Sequence, residues 1–497
     1  MVGLNTLTPG NTPQVLMLIF NLIVMNIKKI FVFLILGGLA LHSCSKLDTP
    51  PTDVIDPSKA FRNLDDLNIG VLGAYAALTT SLIEAGAIVS DEVMYPTENT
   101  VSNNTAHRWL YNSGSSSVTS ALYEYAVVID RANRILEAAP TIPVAGEQNR
   151  LDQYRAEALA LRAYSYLELI RAYASSYEPT GMGMPYLKER TLAYLARESV
   201  KSNFDNLNAD LKTAKELIPS ALNVNTRITK TAIAAIQARA ALYEKKWSDA
   251  ITYASEVMAA EPLAPKSDFG KIWKDSSQSE VIWKLARVVG DSRIGEAFFR
   301  DPGRAAEIVL YAPSFKLIDM FGTTTQRADD VRFSSYIQYV PTRPTGKSQY
   351  MIYKYIGKDP VGQPALADIK LFRAGEMYLI KAEAELENNN GSAGITAAAK
   401  DLNDLRRARI YNYIDQNFND KQSLVNAIYN ERFKELAFEG HRFFDLKRRN
   451  LPVERTTQDA INTSGAVKLE TTAAQYCFPI SDREMSINKN MIQNPNY

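Results

Sequence analysis

The chain has 497 residues, of which 46% are hydrophobic and 22% charged, and its net charge is +1. With no long block of one sign, it lacks the basic footprint that nucleic-acid binding requires. Two cysteines cannot build a disulfide framework or a Cys-rich zinc site, and with only three histidines to supplement them a four-ligand structural zinc is not expected. No metal is assigned, although an all-oxygen calcium site stays open because carboxylates are abundant.

The first apolar run, "VLMLIFNLIV", ends just before Met25, and Lys28 and Lys29 precede a second, "IFVFLILGGLAL". A short basic stretch followed by an apolar core too short to span a bilayer describes an export signal. Residues 1–24 therefore read as an upstream extension before a true start at Met25, and residues 25–43 as a lipoprotein signal peptide. One helix through both runs would set the two lysines near mid-membrane, where charge is costly. The end of the core, "LHSC", resembles a bacterial lipobox, which implies cleavage before Cys44 and a covalent lipid on that cysteine. Acyl chains anchor through about 0.8 kcal/mol per buried methylene. The polar "SKLDTPPTDVIDP" that follows suits an extended tether. Cleavage removes two lysines and no acids, taking the net charge from +1 to −1.

From Phe61 onward the dominant period is helical. Long amphipathic helices are predicted over residues 122–140, 153–175, 203–219, 229–246 and 247–260. Ala232, Ile236, Ala240 and Tyr243 share one face, and Ala250, Ala254 and Val257 continue the pattern in the next helix. Small residues that admit close helix approach suggest tetratricopeptide-type helix pairs, although the full repeat consensus is absent. Residues 371–389 and 394–410 have the same texture. Between Pro262 and Asp368 the pattern breaks. "SEVIWKLARVV" reads as a strand, as do "RFSSYIQYV" and "QYMIYKYIG" by alternation and aromatic content. A loop-rich stretch of this length on a helical scaffold suits function.

The segment "NERFKELAFEGHRFFDLKRRN" at Asn430, with "LFRAGEMYLIKAEAELENN" before it and "FPISDREMSINKNMIQNPNY" at the end, resembles the SusD/RagB family of Bacteroidetes surface lipoproteins. "CSKLD", "AFRNLDDLNIGVLGAYAAL" and "SEVIW" occur in the family's order, so the resemblance covers residues 44–497. An N-terminal region extends over about 44–230 and a C-terminal one over about 270–497. The resemblance implies a mainly α SusD-like fold, in which tetratricopeptide-type pairs build a right-handed helical scaffold beside an irregular region with short strands. It also implies a non-catalytic protein on the outer face of the outer membrane, working over a SusC-like TonB-dependent transporter. Its ligand would be an oligosaccharide or, in some members, a peptide. The outward orientation comes from the resemblance alone, because Ser45, Lys46 and Leu47 separate Cys44 from the first acid.

Within the family motif, Glu431, Glu435 and Glu439 recur every fourth residue, which would set them along one helix face. An acid–base pair or metal site is one reading. Interleaved Arg432, Arg442, Asp445 and Arg448 favour the other, a structural ion-pair array, with Gly440 and a packed His441 inside it. No nucleophile elbow, zincin or phosphate-loop motif stands out in the mature chain. A surface glycosidase, which needs only two carboxylates, and a scaffold that touches no ligand are the competing functions.

A glycan binder needs exposed aromatic rings and polar side chains for hydroxyls. Trp247, Trp273 and Trp283 sit in element-like segments and are expected in the core. Trp109 sits in the polar "TENTVSNNTAHRWLYNSGSSS" and is the candidate platform, unless it simply pins that loop to the scaffold. Tyr95, Asn103, Asn104, His107, Arg108 and Tyr111 are the accompanying candidates. Phe298, Phe299 and Arg300, from "EAFFRDPGR", could border the same pocket.

Overall fold

The computed structural model describes residues 60–100, 104–300, 307–389 and 391–497, together with Val24. Cys44 and Asn103 lie outside the described residues, as do the signal and the tether. Arg62–Tyr497 form one compact unit, mainly helical with five two-stranded sheets among the described residues. The first half runs α1 (Leu64–Ala76), α2 (Ser81–Val89), β1 (Val93–Met94), α3 (Ser116–Ala138), α4 (Gln148–Tyr173), α5 (Val200–Leu217), α6 (Lys230–Glu244) and α7 (Trp247–Ala260). An irregular stretch then carries α8 (Lys266–Ile272), β2 (Val281–Leu285), β3 (Phe299–Arg300), β4 (Ile308–Val309), β5 (Ala312–Pro313), α9 (Phe315–Met320), α10 (Thr324–Asp329), α11 (Val331–Tyr336), β6 (Ile337–Tyr339) and β7 (Tyr350–Ile352). The C-terminal part is β8 (Ile369–Arg373), α12 (Ala374–Asn388), α13 (Ser392–Arg409), α14 (Lys421–Glu435), α15 (Arg442–Arg448), β9 (Val453–Glu454), β10 (Lys468–Leu469) and α16 (Asp482–Ile487).

The helices follow their sequence signals. Thr229 caps α6 by accepting from the Ala232 N–H, and Lys245 ends it in the left-handed region at φ 58°. Ala232, Ile236, Ala240 and Tyr243 are all buried, and α7 buries only Ala250, Ala254 and Val257. Consecutive helices pack as pairs, α4 on α5, α6 on α7 and α12 on α13, with α7 also against α12. Alanine at the contacts lets the backbones approach. A leucine-rich cluster from α12, α13 and α14, centred on Leu379, Leu386, Leu402, Leu405 and Ile428, closes the C-terminal end.

The irregular stretch is more helical than expected. Four helices of six or seven residues, α8 to α11, are under two turns each, too short for hydrophobic periodicity to register. "RFSSYIQYV" therefore splits into α11 and β6. In the other direction, the predicted helix over 371–389 begins as a strand: β8 runs to Arg373 and α12 starts at Ala374. No turn residue separates the two, so the sequence pattern shows no boundary. β8 pairs antiparallel with β2, setting Trp283 opposite Phe372 with their rings stacked at 6.1 Å. Trp273 and Trp283 are both buried.

The charged motif sits at the junction of these parts. Glu431 and Glu435 lie on α14, which ends at Glu435, so Glu439 leaves the helix and occupies the following turn. Arg409 reaches Glu435 (3.0 Å) and Glu280 (2.7 Å). Arg373 reaches Glu435 (2.9 Å), Glu439 (2.7 Å) and Glu280 (2.7 Å). Arg332 adds Glu431 at 2.6 Å and Glu435 at 3.1 Å, and Lys354 meets Glu439 at 2.7 Å. Asp445 accepts from Arg432 and Arg448. Glu280, Glu431, Glu435 and Asp445 are buried, and the Glu439 side chain is only 6% exposed. At the turn Gly440 adopts φ 74°, and a Cβ there would stand 2.7 Å from the Ile83 Cα, so only glycine fits against α2.

Candidate functional site

The stretch expected to offer an exposed tryptophan instead folds inward. Trp109 is only 7% exposed, and its Nε1–H donates to the Val89 carbonyl at 2.8 Å. The Arg455 guanidinium lies 4.1 Å over its ring. Tyr111 is fully buried and donates its hydroxyl to the Gln475 carbonyl. His107 has its Nδ1 2.9 Å from the Ile88 carbonyl oxygen, and its ring stacks with Tyr95 at 6.2 Å. Burial, with Arg455 and Arg108 nearby, pushes the His107 pKa well below its usual range, so the ring is neutral. Large rings gain more from burial than from exposure, and here they dock the loop onto the end of α2. Arg108 and Asn104 stay half-buried, Arg108 donating to the Asn462 carbonyl at 3.4 Å. Phe298 and Phe299 are likewise buried, Phe298 stacking on Tyr355, while Arg300 is exposed. Of the nine described candidates, only Arg108, Asn104 and Arg300 present solvent-accessible polar groups.

The loop after β1 nevertheless helps to build a surface. Glu98 accepts from both terminal nitrogens of Arg343 (2.8 and 3.1 Å) and from the Ser348 N–H (2.9 Å), which clamps the loop to the β6–β7 hairpin. Asn99 donates to the Leu310 carbonyl at 2.7 Å, and Asn462 donates to the Tyr95 carbonyl at 3.0 Å. In the hairpin Tyr339 pairs directly with Tyr350, ring centroids 4.7 Å apart and planes 32° from parallel. Phe315 meets Tyr350 edge-on. Tyr339 is 49% exposed. Two adjacent tyrosine rings on a clamped hairpin form a firm apolar face with hydroxyl edges, suited to the C–H face of a sugar. Neither tyrosine was among the candidates named from the sequence, although the alternation in "RFSSYIQYV" and "QYMIYKYIG" marks the two strands that bring them together. Among the described residues, no group of His, Cys, Asp and Glu is arranged to hold a metal ion.

Comparisons with known proteins bear on what this surface belongs to. A family model described as "SusD family" matches residues 329–497, and one described as "Starch-binding associating with outer membrane" matches residues 66–242. The chain belongs to the SusD/RagB family. The SusD-like protein P38 of Formosa agariphila is 25% identical, over 88% of this chain and 95% of the relative. The SusD-like protein P2 of the same organism is 23% identical, over 95% of this chain and all of the relative. Among solved structures, a SusD superfamily protein of Bacteroides thetaiotaomicron superposes with a TM-score of 0.77 at 21% identity, covering 87% of this chain and 100% of that one. A SusD-like carbohydrate binding protein of Bacteroides vulgatus gives 0.70 at 21% identity, covering 87% and 98%. The fold is thus the SusD-like one, and SusD/RagB members are binding proteins without catalysis. The carboxylates of the family motif are each paired with arginine or lysine, as the ion-pair reading of the motif expects.

Proposed function

We propose that this protein is a lipid-anchored outer-membrane lipoprotein that captures an oligosaccharide outside the cell and delivers it to a SusC-like TonB-dependent transporter, over which it acts as a lid. Family membership supports the outer membrane and the transporter, and the matched description "Starch-binding associating with outer membrane" supports a glycan ligand. The observation that carries the reading is the exposed Tyr339–Tyr350 pair on a hairpin held rigid by Glu98 and Arg343. The sugar ring would lie across the two tyrosines.

Titration of the full-length protein with a panel of neutral oligosaccharides tests this. Replacing Tyr339 and Tyr350 together by Ala should weaken binding at least tenfold while leaving the unfolding midpoint within about 2 °C, because both rings are partly solvent-exposed. Binding of peptides and no glycan would move the protein to the peptide-binding branch of the reading; turnover of a bound glycan would overturn it. Cys44 is proposed as the lipid attachment site. Cys44→Ser should shift the protein from the detergent phase to the aqueous phase in a partition assay, and a variant still in the detergent phase would exclude the lipid.

A further inference from the structure

Trp247, expected in the core, is half-exposed and opens onto a cavity of about 650 Å³ between the helix pairs and the segment after α15. Tyr177, Tyr243, Tyr429 and Tyr476 supply further rings to its wall. None of the lining residues belongs to the tyrosine hairpin.

The charges in the wall are unevenly matched. Its three carboxylates are all paired: Glu383 with Arg448 and the Tyr429 hydroxyl, Glu178 with Lys245, and Glu387 with Lys421. Two lining cations have no carboxylate partner among the described residues. Lys447 is buried and donates to the Ala174 carbonyl at 2.8 Å and toward the Cys477 Sγ at 3.4 Å. Arg449, one residue beyond the family motif, lies over the Tyr429 ring with no hydrogen-bond acceptor among the described residues. A guanidinium placed over a ring and without an acceptor keeps N–H groups free for bidentate contact with two oxygens of a carboxylate or a sulfate. Leaving it half-desolvated without an acceptor is costly, and a bound anion removes that cost.

We infer that this cavity is a second ligand site, taking a saccharide that bears an anionic substituent, with Trp247 against the sugar face and Arg449 on the carboxylate or sulfate. The two anions share that chemistry. Tetragalacturonate and a sulfated κ-carrageenan tetrasaccharide distinguish them, with cellotetraose as the neutral control. Trp109, Trp273 and Trp283 are buried, so Trp247 is the tryptophan whose fluorescence a ligand can alter.

The experiment titrates full-length protein and follows tryptophan emission and calorimetric heat. At least one anionic probe should bind and change the emission, with affinity at least tenfold lower in Arg449→Gln and partly restored in Arg449→Lys. The emission change should vanish in Trp247→Phe while heat is still released. The Tyr339/Tyr350 double variant should bind the anionic probe as the parent does, which separates failure of this site from failure of the hairpin site. The inference is overturned if neither anionic probe binds, if cellotetraose binds equally well, or if Arg449→Gln, folded by circular dichroism, binds with parental affinity.

Discussion

Trp109 occupies the left-handed region at φ 56°, where its backbone N–H donates to the Ala106 carbonyl and the next N–H, of Leu110, donates to the Thr105 carbonyl. The tight turn aims the indole back at α2, where the Val89 carbonyl and Arg455 receive it. Its polar neighbours say what the loop's outer side meets, and they say nothing of what the ring lands on. That is why composition pointed outward while the side chain went in. The same reasoning inverted Trp247, which stands at the first position of α7, where the helix has only begun to bury its face. Replacing Trp109 by Ala should lower stability by about 3–5 kcal/mol, the usual cost of emptying a large aromatic site, as read from urea unfolding. Unchanged stability together with a selective loss of glycan affinity would instead return Trp109 to the ligand surface.

At the scale of elements, α14 shows which part of a charged motif is readable. Glutamates four residues apart with interleaved arginines announce ion pairing rather than an open acid–base site, and the buried network agrees. The partners on other elements, Arg332 of α11, Arg373 of β8 and Arg409 of α13, were not legible, because nothing local in the chain marks which strand or helix end will be brought to α14. Burial alone would raise the Glu435 pKa, yet Arg409, Arg373 and Arg332 together hold it far below the usual carboxylate range. Glu435→Ala would remove the one carboxylate that all three buried guanidinium groups share. The expected loss is about 3–5 kcal/mol, measured by chemical denaturation, and a loss under about 1 kcal/mol would mean that Glu280, Glu431 and Glu439 suffice.

At the scale of the molecule, the chain closes where the segment after α2 meets the turn after α14. Glu92 accepts from the Phe438 N–H at 3.0 Å, and Asp91 accepts from Arg442 at 2.6 and 2.7 Å and from Lys316 at 2.7 Å. Burial raises both carboxyls in principle. For Asp91, Arg442 and Lys316 overcome it and hold the pKa down to about 2; for Glu92, burial wins and pushes it up to about 8. Between its ordinary value of 4.5 and about 8, folded Glu92 keeps a proton that the unfolded chain has released. Stability therefore falls as pH rises through that window, with a slope of up to about 1.4 kcal/mol per pH unit. Glu92→Gln retains the acceptor and removes the ionisation. Its melting temperature should exceed the parent's by a margin that widens from pH 5 to pH 8, and a margin independent of pH would show that Glu92 does not titrate there.

The sequence by itself determined the helical scaffold with its paired alanine faces and the family through its charged C-terminal motif, and it is the source of the proposed export signal and lipidated cysteine. Each of these is a local pattern, set by spacing along a few turns or by a short run of residue types. Tertiary structure alone decided which rings are inside, how Tyr339 and Tyr350 come to lie side by side, and that Arg449, which lines the same cavity as Trp247, has no acceptor among the described residues. Those outcomes depend on which distant segments meet, because burial and charge pairing are properties of the assembled neighbourhood rather than of the residues next in the chain.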